Sequence, residues 1–166
     1  MEFLTTDTFW GQSAAGIGDI NDDGLDDVLI GARKDSTAGT NRGSVAVVLG
    51  GSDDVGELII HGATNSDQFG CNIANLGDAD GDGLDDVAIS APYGDDGSNN
   101  GGDILLFSAA DVLAATPVTE DTTVFYGMQV GEYAGMGLVA AGGCNGDGLD
   151  DVLIGSPYYD VSDSEE

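Results

Sequence analysis

Positive charge is almost absent from this sequence. Its 166 residues carry three Lys or Arg side chains and one His against 31 acids, giving a formal charge of −28 at pH 7. A surface this acidic excludes binding of nucleic acid through its phosphates, and excludes adsorption to an anionic membrane face. Long apolar runs are missing as well, none approaching the ~20 residues of a membrane-spanning helix. The start, MEFLTTDTFW, has neither the basic residues nor the apolar stretch of a secretion signal. Cysteine occurs twice, at Cys71 and Cys144. Two distant thiols make no disulfide framework and read as unpaired small residues. No N-x-[ST] glycosylation acceptor is present.

What the chain has is glycine and aspartate. There are 28 Gly, and 25 of the 31 acids are Asp (31 − 6 Glu). Glu favours helices, whereas Asp favours turns, caps and hard-cation ligation. The 41% of apolar residues suffices for a core, and the length suits one domain.

The sequence repeats. GDINDDGLDDVLIGA begins at Gly18, GDADGDGLDDVAISA at Gly77 and GGCNGDGLDDVLIGS at Gly142. The offsets are 77 − 18 = 59 and 142 − 77 = 65 residues. The register holds outside the acidic segment: Trp10-Gly11 falls on Phe69-Gly70, Gly62 on Gly127 and Gly70 on Gly135. Self-similarity at this period marks a repeat architecture.

Each unit reads as four short strands. In the first these are QSAAGIG, the β-branched run from Asp27 to Ile30, GSVAVVLG and ELIIHG. In the second they are CNIANLG, DVAIS, GDILLFS and TTVFYG, with AADVLAAT supplying one helical turn between the last two. The third unit supplies two strands. The chain is therefore expected to be all-β, a partial β-propeller of four-stranded antiparallel blades, two blades plus half of a third. The expected division is 1–11 as the end of a preceding unit, 12–70, 71–135 and 136–166. Both ends fall within a blade, which suggests a segment of a longer chain whose remaining blades complete it. A small open β-array is the alternative.

The acidic segments carry the chemistry. In the first, Asp19, Asn21 and Asp23 stand at loop positions 1, 3 and 5, followed by Gly24, Leu25 and, at position 9, Asp27. The second matches with Asp78, Asp80, Asp82, Gly83, Leu84 and Asp86. Alternate oxygen ligands can wrap a hard cation, glycine at position 6 permits the sharp turn, and the carbonyl at position 7 (Leu25, Leu84) adds an oxygen. Calcium, with 6 to 8 flexible oxygens, suits this better than octahedral magnesium. An EF-hand is excluded, because position 12 is Ile30 or Ile89 inside a strand rather than Glu before a helix. Asp, Asn and Gly also populate turns without metal. However, carboxylates about 4 Å apart repel by roughly 4 kcal/mol per pair at an effective dielectric of 20, which a cation relieves. The third loop has Gly143 at position 1, leaving Asn145, Asp147, the Leu149 carbonyl and Asp151 as a weaker site. Asp26, Asp85 and Asp150, at position 8, are expected to point outward.

With these residues in place, the chain resembles the FG-GAP repeats of the integrin alpha-chain β-propeller and their bacterial relatives. The Phe-Gly element is Phe69-Gly70, Trp10-Gly11 and Ala134-Gly135. The Gly-Ala-Pro element is Ser90-Ala91-Pro92, Gly31-Ala32-Arg33 and Gly155-Ser156-Pro157. The resemblance implies a seven-bladed propeller with structural calcium on the hairpin between a blade's first two strands. It also implies a non-enzymatic extracellular or cell-surface module that binds protein or matrix ligands in adhesion. An accessory module of a secreted enzyme is the alternative, and a structural surface repeat a third reading. An extracellular setting also follows from the ~10⁻⁴–10⁻³ M calcium affinities of extracellular modules. No catalytic constellation stands out. His61 reads as a strand-end residue. Tyr93, Tyr158 and Tyr159 are expected to cap the core between blades, with a ligand-contact rim as the alternative.

Overall fold

The computed structural model describes residues 9–52, 58–119, 123–144, 146 and 150–161. The strands are β1 (Ser13–Gly16), β2 (Val28–Ala32), β3 (Ser44–Val48), β4 (Leu58–His61), β5 (Ile73–Gly77), β6 (Asp86–Ala91), β7 (Asp103–Phe107), β8 (Thr123–Tyr126), β9 (Gly137–Gly142) and β10 (Asp151–Gly155). They form antiparallel sheets in the orders β1-β2-β3-β4 and β5-β6-β7-β8, with β9 and β10 paired as a third. The expectation of a partial β-propeller is met: two four-stranded blades, and two strands of a third. The one helix among the described residues, α1 (Ala109–Leu113), is the expected turn after β7. Ser108 caps it, accepting from the Asp111 amide while the Asp111 side chain accepts in return.

Pairing register decides which residues meet. Ala15, Leu29, Val47 and Leu58 stand opposite one another and so share one face of the first blade. Ile73, Ile89 and Leu105 share a face of the second. These two faces meet in one cluster with Val45, Ile60, Phe69 and Phe107. The other face of the second blade, with Ala88 and Ile104, packs on Leu138, Val152 and Ile154 of the third. The second blade is thus covered on both sides, and all six residues of β6 are buried. The strands that touch between blades are the innermost, β1 on β5 and β5 on β9.

Backbone contacts lock the blades together beyond their side chains. Phe69 N donates to Arg42 O (3.0 Å), and Gly43 forms a parallel bridge with Phe69. One repeat later, Ala134 N donates to Gly101 O (2.7 Å). Gly43 has φ +85°, and a Cβ there would stand 2.1 Å from Phe69 O. Only glycine permits this approach. The Ser13 hydroxyl donates to Gly70 O (2.8 Å), and its counterpart Asn72 donates from Nδ2 to Gly135 O (2.9 Å).

Two acids lie buried where the β4–β5 turn meets the second blade. Asp67 and Asp103 are buried, and burial, followed by neighbouring carboxylates, raises their pKa to about 6 and about 7.

Two outcomes follow from these contacts. Gly43→Ala should destabilise the chain by at least about 2 kcal/mol through steric and left-handed strain. Gly81→Ala, at φ +86° but with open space around it, should cost only about 1 kcal/mol. Urea denaturation compares the two, and equal costs would contradict the interlock. The second outcome concerns pH in divalent-free buffer. Because Asp67 and Asp103 hold protons that the unfolded chain has already released, their contribution to stability falls as pH rises from about 4 through about 7. Asp103→Asn should flatten that decline in denaturation midpoints measured across pH 4 to 8.

Candidate functional site

The acidic segments become the hairpin connections β1–β2, β5–β6 and β9–β10, all at the same end of their blades. Sequence dictates their shape locally: glycines at φ +91° (Gly24) and +94° (Gly83) turn the chain, and carboxylates fold back onto the amides just ahead.

In the first loop, the Asp19 carboxylate accepts from Asp23 N (2.9 Å) and Gly24 N (2.7 Å). Asn21 Oδ1 accepts from Asp23 N (3.1 Å), and Asn21 Nδ2 donates to Asp23 Oδ2 (2.9 Å). Asp23 Oδ1 accepts from Leu25 N (2.9 Å). Asp27 is fully buried, and both its oxygens are taken by backbone: Ile20 N at 3.0 Å, and Gly50 N at 2.7 Å from beyond β3.

The second loop is wired alike but is not fully satisfied. Asp78 accepts from Gly81 N and Gly83 N (2.7 and 3.0 Å), Asp80 from Asp82 N (3.0 Å), and Asp82 from Leu84 N (2.8 Å). Asp86 Oδ2 accepts from Ala79 N and Asp80 N (2.8 and 3.0 Å). Its other oxygen, Oδ1, is buried and accepts nothing among the described residues. Burial pushes the Asp86 carboxyl above the usual range, the Ala79 and Asp80 amides pull it back, and the Asp80 and Asp82 charges push it up again. Carboxylate oxygens of Asp78, Asp80 and Asp86 lie within 4.8 Å of one another. This donor set of hard oxygens with one orphaned buried acceptor fits a hard cation.

Of the residues singled out in sequence, the structure therefore gathers Asp78, Asp80 and Asp86. Asp82 lies outside that group, its Oδ1 on the Leu84 amide. Asp19, Asn21, Asp23 and Asp27 are instead engaged with loop amides and with each other. Asn145, Asp147 and Leu149 lie outside the described residues, and Asp151 opens β10.

Of the position-8 acids, Asp26 and Asp150 are exposed as expected and Asp85 departs. Asp85 does not point outward: its Oδ2 accepts from Asn75 Nδ2 (2.7 Å), which also donates to Gly16 O (3.0 Å) of the preceding blade. The same carboxylate sits 3.1 Å from where a Cβ on Gly18 would stand, and Asp150 stands 3.2 Å from the equivalent point on Gly77. The glycines that open the first and second motifs make room for the next blade's acid. The tyrosines differ too. Tyr158 and Tyr159 are exposed (69% and 51%) rather than capping a core. Tyr133, which drew no attention in sequence, links Tyr93 (4.9 Å) and Tyr158 (5.7 Å) edge to face.

Comparison with known proteins agrees with this geometry. The FG-GAP repeat family matches residues 72–107, from just before β5 to the end of β7. Integrin alpha-5 of Xenopus laevis is 31% identical over 163 residues, covering 93% of this chain and 15% of that protein. Human integrin alpha-IIb is 31% identical over 159 residues, covering 90% and 15%. Xenopus laevis integrin alpha-4 is 44% identical over 78 residues, covering 45% and 8%. The chain thus spans about 15% of the length of the relatives it matches most fully. Three in-register hairpins, the interlocked Phe-Gly turn and these similarities place the chain in the FG-GAP repeat family.

Proposed function

We propose that the chain is a calcium-stabilised segment of a β-propeller, a non-enzymatic module for adhesion or ligand binding at the cell surface or in the extracellular space. The observation that carries the calcium reading is the orphaned, buried Asp86 Oδ1 beside the Asp78 and Asp80 carboxylates. In this reading Asp78, Asp80, Asp82, the Leu84 carbonyl and Asp86 hold the ion in the second loop. Asp19, Asn21, Asp23, the Leu25 carbonyl and Asp27 do so in the first. Asn145, Asp147, the Leu149 carbonyl and Asp151 form a weaker third site. The segments 12–70, 71–135 and 136–166 act as successive units, completed by further blades of a longer chain. The calcium supplies charge neutralisation that fixes the hairpin and takes part in no reaction.

The integrin alpha names of the relatives support a protein or matrix ligand. The one Ser–His–Asp grouping argues against catalysis. Ser44 Oγ donates to Asp35 (2.5 Å) and lies 2.8 Å from His61 Nδ1, while the same Asp35 oxygen stands 3.8 Å from that nitrogen, so the acid's hydrogen bond goes to the serine. Ser44 is also fully buried. A nucleophile needs access to substrate and a base oriented by the acid.

Calcium at 100-fold above Kd should stabilise the fold by about 2.7 kcal/mol per occupied site, or roughly 5–10 °C in Tm. Asp78→Asn, at the position that is Asp in both loops, should remove most of the second loop's share, while the variant's Tm in EDTA stays near that of the parent. A melting temperature indifferent to EDTA would sink the calcium reading.

A further inference from the structure

A recess lies at the end of the blades opposite the hairpin loops, between the β8–β9 connection and the segment that follows β10. Tyr126, Met128, Gln129, Glu132, Ser156 and Tyr159 line about 730 Å³ of space, a volume ordinary for a ligand site. Tyr126, Met128 and Tyr159 are exposed, whereas Glu132 is only 5% exposed. Glu132 Oε1 accepts from Met128 N (3.0 Å), and the Glu132 backbone oxygen from Tyr158 N (3.4 Å). Gly127 leaves room for this, since a Cβ there would overlap Glu132 Oε1. The second carboxylate oxygen, Oε2, is buried and accepts nothing among the described residues.

Comparing repeats shows which groups answer the acid at this position. The 65-residue offset puts Glu132 on Asp67 and Gln129 on Thr64, and the 59-residue offset puts Gly101 on Arg42. In the earlier copy the Thr64 side chain hydrogen-bonds Asp67, and Arg42 eases its charge. In the later copy both are lost. Gln129 donates from Nε2 to Asp160 O (2.9 Å) and accepts from Asp160 N at Oε1 (2.9 Å), so its amide is committed elsewhere. Gly101 has no side chain to offer. The chain's three Lys and Arg, at 33, 34 and 42, all belong to the first blade. A carboxylate out of water is costly unless paired, and a strongly acidic surface draws cations toward it.

We propose that this recess receives a cationic side chain, Arg or Lys, of a protein partner. The N–H groups of that side chain donate to Glu132 Oε2 in a charge-assisted bond. Tyr126 and Tyr159 wall the recess, and aromatic rings favour a cation beside them. Because Oε2 is covered, entry requires one wall to give. Met128, unbranched and 82% exposed, is the adaptable part of it. The site rests on the reading of the chain as a ligand-binding module and names the chemistry of its ligand.

The probe is an acetylated, amidated Gly-Arg-Gly peptide, titrated into the full chain in calcium-containing buffer at about 0.15 M salt to screen the remaining surface charge. NMR follows the Met128 amide, which shares the Glu132 carboxylate. A saturable shift is expected there, and the same peptide with citrulline, alike in shape but neutral, should bind about tenfold more weakly or worse. Glu132→Gln keeps an acceptor for the Met128 amide and removes the charge. It should weaken the arginine peptide about tenfold or more, while the response of Tm to EDTA stays that of the parent. No saturable shift at Met128, shifts spread evenly over the acidic surface, or equal affinity for the citrulline peptide or for the variant overturns the proposal. Should Glu132→Gln not fold, Tyr159→Ala at its exposed position serves instead: a loss of about threefold or more supports the site, and an unchanged isotherm refutes it. The EDTA response tests the calcium reading separately, so the two failures are told apart.

Discussion

Repulsion between carboxylates held at close range is the constraint that shapes this molecule. With 31 acids against three Lys or Arg, side-chain cations cannot balance the charge, so the backbone must supply donors. In the first hairpin it does so completely for Asp27, whose two oxygens take amides from the loop and from beyond β3. In the second hairpin, Asp86 takes two amides on one oxygen and none on the other. That difference leaves one buried carboxylate oxygen of the second hairpin unanswered among the described residues.

The hairpins are not isolated from the packing of the blades. Asp85 and Asp86 are adjacent, yet one closes the loop and the other reaches Asn75 and the edge of the preceding blade. Because successive residues of a strand face opposite ways, fixing one fixes the direction of the other. Order in the loop is thereby transmitted to the inter-blade contact, at the end of the sheet where the innermost strands touch. The apolar clusters on either side of the second blade do the rest, and their members alternate along the strands as register requires.

Much of this was legible in the sequence, and the reasons are physical. Strands such as Val28–Ala32 and Asp86–Ala91 show themselves as β-branched runs after Asp-Gly turns, and three copies in register make each assignment support the others. The helical turn at Ala109 was legible from the run AADVLAAT. What stayed hidden depended on neighbours in space rather than in sequence. The inward reach of Asp85 requires knowing that Gly18 belongs to the adjoining blade. The burial of Asp67 and Asp103 follows from the closing of the β6–β7 connection over them. The amide of Asn21, whose Nδ2 donates to Asp23, marks where the first loop departs from the all-acid second.

Repetition also exposes where the units part company. The backbone at Asp35 and Ser44 is reproduced at Gly94 and Asp103, strand for strand, yet the polar content is inverted. One unit keeps an acid on the loop with a hydroxyl on the strand; the other keeps glycine on the loop with an acid on the strand. The first arrangement is closed, since each buried oxygen has a donor of its own. The second is open, because the space released by the missing Cβ is filled by a carboxylate of which one oxygen, Asp103 Oδ1, has no partner among the described residues. Two solutions at one backbone position mean that the scaffold does not dictate the charge there. The apolar faces and interlocked glycines hold the blade in shape, and the buried polar positions are left free to differ from blade to blade.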